Sequence, residues 1–263
     1  RIRRLSTLVR GGLPVAPAHA LSRVAADRFY ASCLPEELRP GALLGAESSL
    51  ERASRVGRAR ALLAEAELSS ALRRQLRAIW SELGSEAALV VRPSLVSDIA
   101  ALPVELHASQ VRVGSLVSLE RAVLCAYRAL FDSATFASLA LEGAREVSVS
   151  VLVQRMVEPG VSAVVYTRNP LTGEGSELLV QLASGLCGDL VGGHLPMQRL
   201  RVDRATAWVR EAVRVPAGLI AGTQRPHSKV ETLDAAAPQE LGAESLAELV
   251  RLSVKAERRL GAA

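Results

Sequence analysis

Aromatic side chains are scarce in this chain: three Phe, three Tyr and two Trp among 263 residues. Leu, Val and Ala must therefore fill any core, and no row of aromatics interleaves with a basic stripe as a nucleic-acid surface requires. Lysine is rarer still. Lys229 and Lys255 are the only two, so nearly all of the 32 basic residues are arginine, which fits a coding bias better than a function. Cys33, Cys125 and Cys187 lie far apart with no CxxC or metal-ligand spacing, which excludes a disulfide framework. Cys125 falls in a helical apolar pattern and reads as core. Cys187 sits among glycines, with no His or Asn nearby in sequence to activate it. No apolar run reaches the roughly 20 residues that span a bilayer. The basic N-terminus lacks the apolar stretch and cleavage site of a secretory signal. These absences point to the cytoplasm and away from membranes.

What is present is enough for a folded protein. Hydrophobic residues make up 49% and charged residues 22% of the chain, and the length suits one large domain or two ordinary ones. The net charge of +5 is modest, and acidic residues lie among the basic ones. No nucleic-acid partner is expected; the excess suits a phosphate-bearing ligand equally well.

Val147–Gly193 organises the rest. The apolar runs Val147–Val157 and Val161–Thr167 flank Glu158-Pro159-Gly160, and Glu177–Leu182 follows the turn Asn169-Pro170-Leu171-Thr172-Gly173. Runs of this length bounded by Pro and Gly read as strands of one antiparallel sheet. The third run ends in glycines, which let backbone approach a phosphate or a metal-bound anion closely.

Elsewhere the periodicity is helical. Arg1–Arg10 has Ile2, Leu5 and Leu8 on one face and ends at Gly11-Gly12; Ser22–Ser32, Ser49–Glu65 and Ser69–Leu83 follow. Ser118–Leu141 reads as one long helix with Ser118 as N-cap, and Pro238–Leu260 as the last, acidic first and basic at its end. Ala87–Val91 is a strand leading into the loop Arg92-Pro93-Ser94-Leu95-Val96-Ser97-Asp98. Such a loop can hold phosphate oxygens and a metal, or be an ordinary loop with an N-cap. Met197–Asp203 and Ala207–Val215 are further strands, and short ones are expected at Val111–Val113 and Lys229–Leu233. The pattern as a whole is α+β.

Four pieces resemble the N-terminal nucleotide-binding domain of the phosphoenolpyruvate synthase and pyruvate phosphate dikinase family, which rifampicin phosphotransferase also carries. They are Leu5–Phe29, Val90–Asp98 with Ala108–Gln110, Val151–Gly173 and Ser184–Gly193. The third, VLVQRMVEPGVSAVVYTRNPLTG, is similar to the family's "V-x-V-Q-x-M-V … G-V-x-F-T-x-[ND]-P-x-T-G" and is the specific one. The resemblance implies an ATP-grasp fold with an N-terminal lobe over residues 1–108 and a C-terminal lobe over 109–263. It implies Mg-ATP as ligand and phosphoryl transfer, commonly through a histidine on a separate swivelling domain in the same or another chain.

Carried over residue by residue, Arg92 matches the arginine of "V-R-S-S" and would pair with phosphate, with Ser94 and Asp98 beside it. Gln154, Met156 and Val157 match the adenine-side strand. Arg1 falls on the phosphate-binding lysine. The chain departs from the family at Pro93, for the first serine of "S-S", and at Ser109, for a loop glycine. Gly188 replaces the metal-binding glutamate, which leaves Asp189 one place along as the candidate metal ligand, and Gln181 replaces an acid. These departures set an active phosphotransferase module against a degenerate one with a regulatory or scaffolding role. The abrupt helical start and the stop before the family's "D-[IV]-E-W" and "Q-x-R-P" lead us to expect a piece of a longer chain.

Overall fold

The computed structural model describes residues 2–83, 88–99, 106, 109–170, 172–188, 196–216, 231–233 and 241–261. They form two compact units, one over Ala16–Met156 and the other over Arg3–Val15 with Val157–Ala263. The chain crosses between units after Met156. Helices and antiparallel strands occur in both, as an α+β chain requires.

In the first unit, β1 (Ala18–Leu21), β2 (Leu89–Ser97), β3 (Gln110–Val113) and β4 (Val147–Arg155) form an antiparallel sheet in the order β1-β4-β2-β3. Six α-helices accompany it among the described residues: α2 (Arg23–Cys33), the short α3 (Pro40–Leu44), α4 (Ser49–Ala64), α5 (Ser70–Leu83), α6 (Leu116–Arg128) and α7 (Ser133–Leu141). The long helix expected over Ser118–Leu141 is thus two. Ser115, not Ser118, is the first N-cap; its hydroxyl accepts from Ser118 N–H and Ser118 returns the bond as a capping box. Asp132 then caps α7 by accepting from Thr135 N–H at 3.0 Å. The apolar pattern runs unbroken through Leu130 and Phe131, so periodicity alone hides the break. Cys125 is exposed rather than core, because the buried stripe of α6 runs through Ala122, Val123, Ala126 and Tyr127.

The expected loop over Arg92–Asp98 is instead strand as far as Ser97, paired with β4 from Leu89↔Arg155 to Ser97↔Val147. Pro93 is tolerated there because β3 pairs only with Leu89–Val91, and among the described residues no other strand pairs with that edge of β2 beyond Arg92.

The few aromatics are concentrated. All three Phe and two of the three Tyr pack together as Phe29, Tyr30, Tyr127, Phe131 and Phe136, with neighbouring ring centroids 5.1–6.1 Å apart. Tyr30 Oη donates to the Tyr127 carbonyl at 2.8 Å, whereas the buried Tyr127 hydroxyl finds no partner among the described residues. Burial, reinforced by the Asp27 carboxylate, raises both phenol pKa values above the ordinary 10.0. Above pH 10 the unfolded chain therefore loses phenolic protons that the fold retains. The unfolded state then binds fewer protons, so stability falls as pH rises, by about 1.4 kcal/mol per pH unit for each tyrosine. Tyr127→Phe should halve that alkaline slope. Below pH 9 it should raise stability by about 1 kcal/mol, by removing an unsatisfied hydroxyl. Urea melts of both proteins from pH 8 to pH 11 measure this, and an unchanged slope in the variant refutes it.

In the second unit, β5 (Val161–Tyr166), β6 (Glu177–Ser184), β7 (Met197–Asp203), β8 (Val209–Val215) and β9 (Glu231–Leu233) form an antiparallel meander in sequence order. β4 and β5 are therefore not strands of one sheet, as the sequence pattern implied; the Glu158–Gly160 connector carries the chain from one sheet to the other. A tight turn and a crossing between sheets leave the same Pro-Gly mark. Leu178, Val180, Leu182, Leu200, Val202 and Ala212 meet Leu246 and Val250 of α8 (Ala243–Leu260). The N-terminal α1 (Ile2–Arg10) also belongs to this unit. It ends in a Schellman arrangement, with Gly12 at φ +67°, Gly12 N–H donating to Val9 O and Leu13 N–H to Leu8 O. Lys255 Nζ on α8 donates to the Gly12 carbonyl at 3.1 Å. Among the described residues, no helix is long and apolar enough to cross a membrane.

Candidate functional site

Cα partners in an antiparallel ladder point their side chains to the same face. Leu89, Val91, Val149, Val151 and Val153 belong to the core. The opposite face of the first sheet therefore carries Val90 with Gln154, Arg92 with Leu152, and Ser94 with Ser150. Arg92 is exposed, and its guanidinium has no hydrogen-bond or ion-pair partner among the described residues. A cation held on a rigid strand with its donors free is suited to an anion. Position 93 lies on the core side. Pro93 consequently removes no hydroxyl from the Arg92–Ser94 face.

The other candidate residues are less uniform. Gln154 Nε2 donates to Ala16 O at 2.9 Å, so its amide ties β4 to the segment before β1. Met156 N–H donates to Ala88 O at 2.8 Å, and its Sδ accepts from Arg112 N–H at 3.2 Å. Arg112 sits at φ 54°, where β3 has two residues opposite Val90. Such a bulge in a non-glycine residue is strained, and it abuts Met156. Val157 is 63% exposed and begins the second unit.

Asp98 stands apart. Val90, not Asp98, is level with Gln154, and eight further residues of strand separate them by roughly 26 Å. Its carboxylate accepts from Arg145 N–H, Glu146 N–H and the Ser97 hydroxyl. Those bonds, the one from Glu146 N–H foremost, hold it below the usual carboxylate range. The geometry gives Asp98 a structural task at the start of β4. Arg1 and Asp189 lie outside the described residues.

In the second unit, the face turned away from α8 carries Leu179 with Arg201 and Glu211, and Gln181 with Arg199. A cavity of about 150 Å³ there is lined by Asn169, Arg199, Arg201 and Glu211, among others. Beside it lies a network that the sequence reading missed. Glu177 is fully buried; Asn169 Nδ2 donates to its Oε1 at 2.6 Å, and Arg201 donates through Nε and Nη2 at 3.0–3.2 Å. Arg201 Nη1 reaches Glu211 at 2.8 Å. The hydrogen bonds from Arg201, then Asn169, lower the Glu177 pKa. The available signal was a carboxylate opening an apolar run, Glu177-Leu178-Leu179-Val180.

The family model of the pyruvate phosphate dikinase AMP/ATP-binding domain matches residues 3–263. The chain belongs to that family. It is thus a nucleotide-binding domain of the phosphoenolpyruvate synthase and pyruvate phosphate dikinase type. A curated relative, the prodigiosin synthesizing transferase PigC of Serratia marcescens, is 25% identical over 269 residues. That match takes in 98% of this chain but only 28% of the relative's length.

The family's magnesium fits the described residues poorly. Gly188 and Gln181 stand where carboxylates are expected, Gln181 is level with Arg199, and no group of three or more His, Cys, Asp or Glu among the described residues could hold a metal. Asp189, offered by the motif, lies outside them.

Proposed function

We propose that this chain binds ATP, with Arg92 pairing the phosphates, Ser94 beside it, and the Gln154–Val157 segment receiving the adenine. The observation that carries the reading is the Arg92 guanidinium, unpartnered among the described residues, on the non-core face of the first sheet, level with Leu152 and two register pairs from Gln154. Gln154 and Met156 act chiefly by fixing the backbone there, since the Gln154 amide and the Met156 N–H and sulfur already have partners. Arg1 is proposed as a second phosphate cation and Asp189 as a magnesium ligand, both from the motif alone. A phosphohistidine domain, in the same chain or another, is the proposed acceptor of the phosphoryl group. The transferase activity named for the Serratia relative supports that direction.

A second reading is a degenerate module that retains the fold and weak nucleotide binding but serves regulation. Arg199 facing Gln181, where an acid would hold metal, favours it. One measurement separates the two. At an ATP concentration of 100 times Kd, the first reading predicts about 2.7 kcal/mol of added stability. Denaturant melts with ATP, with and without magnesium, read this directly. No stabilisation in a well-folded sample discards the first reading.

A further inference from the structure

The basic side of α8 has no place in the nucleotide reading. Positions 247, 250, 251, 254, 255 and 258 recur at helical spacing on one face of α8, and with the Arg204–Ala207 turn they line a cavity of about 450 Å³. That size is in the range of small-molecule sites. Val250 and Val254 supply apolar lining, and four cations, Arg204, Arg251, Lys255 and Arg258, surround it. No carboxylate lines the cavity.

The charge balance defines the ligand. Arg204 pairs with Glu257 and also donates to Thr167 O. Arg251 pairs with Glu248. Lys255 donates to the Gly12 carbonyl, which carries no charge, and Arg258 has no hydrogen-bond or ion-pair partner among the described residues. Glu248 also feels the charge of Lys255, so the four cations share two carboxylates, Glu248 and Glu257. The turn that forms the rim is fixed in advance: Asp203 accepts from Ala205 N–H, Thr206 N–H and the Thr206 hydroxyl, and pairs with Arg210. A preformed cavity with apolar lining and a surplus of two positive charges matches a doubly charged phosphoryl group on a compact apolar body.

We propose that this cavity of the second unit is a binding site for a small phosphate monoester, distinct from the Arg92 face. Lys255 and Arg258 hold the phosphoryl oxygens, and Val250 and Val254 receive the apolar body.

Calorimetric titration at constant ionic strength tests this, with phenyl phosphate, inorganic phosphate and phenol as probes. Phenyl phosphate should bind about tenfold more tightly than inorganic phosphate, because its ring leaves water, and phenol should not bind detectably. Arg258→Gln should weaken phenyl phosphate about tenfold, and Lys255→Met with Arg258→Gln should abolish binding. Arg92→Ala should bind it as the parent protein does. Arg258 is exposed and unpartnered, so its single variant folds even where the double variant does not. The same cations also complement the C-terminal end of α8. If that is their whole role, Arg258→Gln lowers the melting temperature and leaves phenyl phosphate affinity intact, which overturns the proposal. Loss of binding in Arg92→Ala overturns it as well, by placing the anion at the nucleotide face.

Discussion

Arg92→Ala should weaken ATP binding by up to about a hundredfold and leave adenosine binding unchanged. A charge-assisted hydrogen bond contributes about 1.5–3 kcal/mol, or roughly ten- to a hundredfold in Kd, and a planar fork that makes two such bonds sits at the upper end. No compensating structural loss is expected, because Arg92 is exposed and has no partner among the described residues. Arg92→Lys should recover part of the affinity, since an ammonium supplies the charge without the fork. Competition titrations with ATP and adenosine make the distinction. Equal loss of both ligands would mean that the arginine supports the sheet and does not meet phosphate.

The largest effect on stability is expected at Glu177. Glu177→Ala strips the buried partner from Arg201 and removes the bond that Asn169 Nδ2 makes to it. Breaking a buried pair costs 3–5 kcal/mol in general. Arg201 is 40% exposed and retains Glu211, so the lower end, about 3 kcal/mol, applies. The loss should appear in the transition of the second unit, with the first unit melting as before. The lowered carboxyl pKa fixes the pH dependence. The stabilisation is present above the ordinary carboxyl value of 4.5 and is lost as pH falls through the depressed folded value. The variant should therefore differ most from its parent at neutral pH and least in acid. A constant difference across that range would rule out the carboxylate as the cause.

Much of this was legible in the sequence, and the failures have physical causes. The strands around Val151, Val164 and Val180 follow from apolar runs bounded by Pro and Gly. Their division between two sheets does not, because the connector signal says that the chain turns, not what it pairs with next. β1 escaped notice because Ala18-His19-Ala20-Leu21 is short and lacks β-branched residues; it becomes a strand only by lying along β4. Reading Arg92–Asp98 as a loop brought Asp98 close to Arg92, and the extended strand separates them. The same extension puts Arg92 and Ser94 on one face, which supports the candidate site and disposes of Pro93 as a loss. The Glu177 network joins residues 42 positions apart through Asn169, Glu177, Arg201 and Glu211, a range that no local pattern reports.

The Gly12 carbonyl and Lys255 are joined across almost the full sequence. The second unit thus joins segments from either side of Ala16–Met156, which is itself continuous. On a ribosome the continuous unit is complete first, as N-terminal parts generally are. α1 emerges before α8 and must wait for it before its end is tied down. That amphipathic helix therefore lacks its α8 contact while the intervening residues are made, and closing so large a loop makes the second unit the slower of the two to mature.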